Sequence, residues 1–141
     1  MTVSPRFLPF EALVPACLCF CAGLASANPA AQLQCWVTYA GTTHTVLAET
    51  VQDPYPVPSV DIGGRFRFKA VMVGEAHRLD YVKLYAYLET PRQPVLIQQA
   101  TYLPPFRVTP VPYLLTGEQR LYAGPVEREL QYRCTLEGLA P

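Results

Sequence analysis

The chain has 141 residues, with 11 Lys plus Arg balanced by 11 Asp plus Glu, a formal net charge of zero. With no basic stripe and no polybasic run, the composition excludes electrostatic nucleic-acid binding and charge-driven docking on an anionic membrane. Its length corresponds to one domain.

The first residues differ from the rest. Arg6 sets a positive charge near the start, an apolar stretch runs from about Ala12 to Leu24, and Ala25-Ser26-Ala27 follows. Small residues at the first and third positions before a cut are what signal peptidase accepts. Residues 1–27 therefore read as a secretory signal peptide, and residues 28–141 as a mature domain starting at Asn28. The apolar stretch is shorter than the roughly 20 residues a bilayer requires, and Glu11 and Pro15 interrupt it, so no transmembrane segment is expected in the mature chain. A buried N-terminal helix is the structural alternative, but nothing later in the chain is suited to cover one. Lipid attachment is disfavoured because Cys17, Cys19 and Cys21 lack the Leu-small-small approach such a site needs. The expected location is periplasmic or secreted.

Removal of the signal leaves two cysteines, Cys35 and Cys134. A lone pair in an oxidising compartment is most simply a disulfide. Closing a loop of about 100 residues corresponds to roughly 4.7 kcal/mol in the chain-entropy account. The two residues form no C-x-x-C, which argues against a redox pair.

Period-two alternation dominates the mature chain and predicts half-buried strands. Leu33, Cys35, Val37 and Tyr39 share one face of the first. After the Gly63-Gly64 turn, Phe66 and Phe68 point inward between Arg65, Arg67 and Lys69. From Tyr81 to Leu88, Val82, Leu84, Ala86 and Leu88 oppose Tyr81, Lys83, Tyr85 and Tyr87. From Glu127 to Leu136, Leu130, Tyr132, Cys134 and Leu136 lie on one side. Three less regular runs, 44–51, 95–102 and 119–122, bring the total to about seven.

Breakers separate these runs. Pro54, Pro56 and Pro58 form a stiff stretch read as a connector between sheets. Pro104-Pro105, Pro110 to Pro112 and Gly124-Pro125 mark further irregular turns. No helical period occurs. The pattern predicts an all-β fold, a small immunoglobulin-like β-sandwich whose disulfide joins its first and last strands.

Catalytic and metal chemistry find little support. His44 and His77 are the two histidines, and Met72 is the one mature methionine, a thin supply for a copper or zinc site. They remain weak metal candidates, and a metal-handling accessory protein is an alternative reading. Ser59 lies in the proline-rich stretch without a nucleophile-elbow context. Glu75 with Asp80, or Glu127 with Glu129 at i, i+2 on the last strand, are the carboxylate pairs a small enzyme would use. The solvent side of a sheet is the simpler explanation for them. No enzyme activity and no cofactor is expected.

Tyrosine is the anomaly, with nine in the chain. Tyr81, Tyr85 and Tyr87 share one strand face, and tyrosine joins apolar area to a polar tip in the way interfaces favour. The stripe and the Pro-rich loops are the expected contact surface for a protein or envelope component. Sugar stacking or a covered sheet are the competing explanations of the tyrosines.

Overall fold

The structure, a computed structural model, describes residues 30–140. The segment read as a signal peptide, its cleavage point, and Cys17, Cys19 and Cys21 lie outside those residues. Among the described residues every regular element is a strand.

Strand β1 (Gln32–Tyr39) turns into β2 (Thr42–Val51) through Ala40 and Gly41 alone, with Tyr39 opposite Thr42. Both turn residues have positive φ, 49° and 80°, as a two-residue hairpin demands when its twist must match that of the strands. β2 leads through the Pro-rich segment to β3 (Val60–Ile62), which pairs with the start of β4 (Phe66–Glu75). β4 and β5 (Arg78–Leu88) form a long antiparallel hairpin with a bulge after Val73. Gly74 occupies that bulge at φ 154°, where a Cβ would collide with the Arg78 carbonyl oxygen. Only glycine fits there.

β6 (Val95–Tyr102) then pairs with β5. The chain returns through an irregular segment to β7 (Tyr113–Leu114), β8 (Gln119–Ala123) and β9 (Arg128–Glu137). β7 and β8 both pair with β9, and the buried Thr116 fills the gap between them. The Cys134 N–H donates to Thr116 Oγ1 at 3.0 Å, and the Cys134 carbonyl accepts from Leu115 and Thr116. A buried hydroxyl thus replaces the missing ladder bond at the disulfide.

Among the described residues nine strands, two more than expected, form one hydrogen-bonded sheet in the order β6-β5-β4-β2-β1-β9-β7, with β3 beside β4 and β8 beside β9. The two additions, β3 and β7, have three and two residues, too short to show a period. β2 belongs to both halves of the sheet. Its first eight residues pair with β1, and its end runs parallel to β4 at Thr50–Met72 and Val51–Val73. This shared strand curls the sheet into a half-barrel around a single core.

The inward residues are those that alternation assigned. Leu33, Cys35, Val37, Phe66, Phe68, Val82, Leu84, Leu130, Tyr132 and Leu136 are all essentially inaccessible. Each large one stabilises the fold by about 1.5–3 kcal/mol through its burial. Aromatic contacts join the two halves across the interior. The rings of Phe68 and Tyr132 lie 4.9 Å apart, and those of Tyr39 and Phe66 lie 5.2 Å apart. Tyr132 also donates its hydroxyl to Gln98 Oε1 at 2.7 Å, tying β9 to β6 where the curl brings them together.

Cys35 and Cys134 are bridged. The bridge joins the first and last strands, but these strands are immediate neighbours, with the two cysteines directly opposite in register. It therefore staples a pair within the sheet and does not connect two layers.

Candidate functional site

The outer face of β4, β5 and β6 carries the tyrosine stripe. Cross-strand register sets Tyr87 beside Arg67, Tyr85 between Lys69 and Gln99, Lys83 between Val71 and Thr101, and Tyr81 beside Val73. The three tyrosines are half-buried. Tyr85 and Tyr87, two residues apart on one strand, stack with ring centroids 6.3 Å apart and planes 15° from parallel. Lys69 places its ammonium 5.9 Å from the Tyr85 centroid, and Lys83 places its own 5.0 Å from that of Tyr81. Such cation–ring contacts are worth about 0.5–1 kcal/mol at exposed sites and hold the long lysines flat on the sheet.

Val71 shows the effect. It points to this outer face yet is only 2% exposed. Its cross-strand partner is Lys83 and its diagonal neighbours are Tyr81 and Tyr85, side chains long enough to roof it. The Tyr87 hydroxyl titrates above its ordinary value, first because burial disfavours the phenolate and second because Tyr85 adds like charge. The face thus combines stacked aromatic rings with lysine side chains laid against them.

Arg67 joins this stripe to the Pro-rich segment. Its Nε donates to Ser59 Oγ at 3.1 Å, and its guanidinium pairs with Glu89 at 3.1 Å. Beside it lies a recess of about 210 Å³ bounded by Val57, Ser59, Lys69, Tyr87 and Pro94. Ser59 thus serves as a hydrogen-bond acceptor for a neighbouring strand. The Pro-rich segment is not extended throughout, because Asp53 Oδ1 accepts from the Tyr55 N–H at 3.0 Å and turns the chain at Tyr55-Pro56.

The weak metal candidates do not come together. His44 precedes Thr50 by six residues along β2, about 20 Å at the strand rise. Thr50 is level with Met72, and His77 lies beyond the far end of β4, in its turn to β5. His77 Nδ1 is 3.0 Å from the Gly138 carbonyl, and its own carbonyl accepts from the Ala140 N–H, so it clamps the C-terminal segment. Among the described residues no group of three or more His, Cys, Asp or Glu is placed to hold a metal ion.

The carboxylate pairs are equally ordinary. Asp80 faces Arg78 at 3.9 Å in the open. Glu127 and Glu129 do not share a strand face as expected. β9 starts at Arg128, and Glu127 sits in the preceding turn at φ 47° while Glu129 lies near Arg120 and Gln131. A tight turn, not an i, i+2 pair, occupies that position.

Two features escape a reading by alternation. Trp36, on the outer face of β1, has Arg133 of β9 5.4 Å from its ring. Between β2 and β4 there is also an apolar cleft, created because those strands pair over two residues only. Neither depends on local sequence, since both follow from which strands become neighbours. Comparison with known protein families, curated proteins and solved structures finds no match.

Proposed function

We propose that this chain is an exported, non-enzymatic binding module whose contact surface is the outer face of β4 and β5, and whose partner is a protein or envelope component. The observation that carries this reading is the stacked Tyr85–Tyr87 pair, flanked by Lys69 and Lys83 and braced by the Arg67 link to the Pro-rich loop. Stacked rings supply contact area at small entropic cost, and the pre-positioned lysines favour a partner with acidic groups. The buried disulfide is compatible with an oxidising compartment, and so with the periplasmic or secreted location. The immunoglobulin-like sandwich belongs to the same proposal. What supports it is that the curl of the one sheet brings β4 and β9 face to face at Phe68 and Tyr132, with β2 shared by both halves.

The test pairs Tyr85→Ser with Tyr87→Ser in one variant and places a photo-crosslinker at Lys69 in the exported protein. One defined crosslinked species is expected with the parent and not with the variant, while the melting temperature stays within about 2 °C. A large fall in melting temperature would show that the rings serve the fold and remove the basis of this reading. So would identical crosslinks from both proteins.

A further inference from the structure

The cleft between β2 and the β3–β4 hairpin has a volume of about 480 Å³. Residues from both faces of β2 line it, Val46 and Ala48 from the inner face and Leu47 and Glu49 from the outer. Opposite faces of one strand can border the same space only at that strand's edge, so the cleft is a gap in the plane of the sheet. The register explains it. β2 and β4 pair at Thr50 and Val51 and nowhere else, and β3 pairs with β4 over three residues without joining the β2 ladder. The small side chains of Ala48 and Ala70, with Met72, leave an apolar floor that opens toward the core. Val57 and its flanking prolines roof it, and Val60 and Leu47 stay exposed at its walls.

The mouth is acidic. Glu49 and Asp53 both border the cleft and both are exposed. Neither makes an ion pair among the described residues. Lys69, on the outer face of β4, turns its ammonium to Tyr85 instead. An apolar floor beneath two unneutralised carboxylates is complementary to one kind of guest.

We propose that this cleft binds a small cationic amphiphile, with an apolar chain against Ala48, Ala70 and Met72 and an ammonium head at Glu49 and Asp53. At about 30 Å³ per water-sized atom in a liquid, the space takes on the order of 15 non-hydrogen atoms. That is a single chain of moderate length, and the volume lies in the range of small-molecule sites. This site is separate from the tyrosine face and stands or falls independently of it.

The experiment is isothermal titration of the purified protein with dodecylammonium, dodecanol and dodecanoate, each below its micelle concentration or solubility limit. Dodecylammonium is expected to bind at one site per chain, with dodecanoate at least tenfold weaker and dodecanol between them. Glu49→Gln should weaken dodecylammonium about fivefold and leave dodecanol unchanged. Ala70→Leu should abolish binding of all three by filling the floor. Because an overpacked core can also unfold, Val60→Gln on the exposed wall provides a second test, with an expected loss of at least threefold for dodecylammonium and dodecanol at unchanged melting temperature. Absence of saturable binding by dodecylammonium, equal affinity for all three probes, or insensitivity to both Glu49→Gln and Val60→Gln would each overturn the assignment.

Discussion

Replacing Tyr132 by Phe tests the central joint of the half-barrel. The ring is 2% exposed, packs on Phe68, and donates its hydroxyl to Gln98 across the curl. Phe keeps the ring and its packing, so the loss is that of one hydrogen bond. A neutral bond of this kind contributes about 0.5–1.5 kcal/mol net, and stranding a buried acceptor costs about 1–3 kcal/mol. Gln98 is half-buried and regains some water, which keeps the expected loss near 1–2 kcal/mol at pH 7. Urea unfolding should show a lower midpoint at unchanged slope.

The same variant makes a pH prediction. Burial, with a smaller effect of Tyr102, raises the Tyr132 hydroxyl above its unfolded value of about 10. A phenol with a raised folded pKa contributes stability that is fully present below pH ~10 and is lost as the pH climbs toward the folded value. The parent should therefore lose stability above pH 10 more steeply than Tyr132→Phe, and the two curves should converge in strong alkali. Tyr102 and Tyr87, also raised by burial, leave the variant a residual slope. If Tyr132→Phe matched the parent at pH 7 and kept the full alkaline loss, the reasoning about this joint would be refuted.

Other perturbations read other parts of the fold. Converting both Cys35 and Cys134 to Ala should cost about 2–5 kcal/mol by urea titration, close to what a loop spanning 99 residues implies, and a change under 1 kcal/mol would contradict that account. Gly74→Ala should lower stability by several kcal/mol or prevent folding, because its Cβ would meet backbone; calorimetry showing an unchanged transition would mean that the bulge relaxes freely. Ala40→Asn should raise stability by about 0.5–1 kcal/mol, since asparagine tolerates the left-handed conformation that alanine occupies at a cost. A lower melting temperature would show that the turn has another preference.

The inner face was legible because it obeys a strict period. Leu130, Tyr132, Cys134 and Leu136 alternate without exception, and each is buried where alternation directs it. The pairing of Cys35 with Cys134 followed from their being the two cysteines left beyond the expected signal peptide, and alternation placed both on inward faces. Adjacency was not legible. No local signal says that β1 lies beside β9, so a bridge between layers and one within a sheet look alike in the sequence. The Tyr85–Tyr87 stack was visible as i, i+2, whereas the partners that brace it, Arg67 with Ser59 and Glu89, come from register and a loop eight residues away. Glu127 was misplaced for a related reason, because one residue of turn at a strand boundary breaks the facing of an i, i+2 pair.

The placement of β9 between β1 on one side and β7 and β8 on the other carries a consequence for timing. β1 finds β2 after two residues of turn, but its second neighbour, β9, is the last of the described strands in chain order. Contacts so distant in sequence form slowly, and during synthesis or passage through a narrow pore they cannot form at all until the final segment has emerged. Until then β1 has a bare edge, and the thiol of Cys35 has no mate. Until Cys134 has emerged the bridge cannot close, and the open β1 edge is exposed to non-native pairing. Losing the segment from Arg128 onward would therefore deprive β1, β7 and β8 of their shared partner at once.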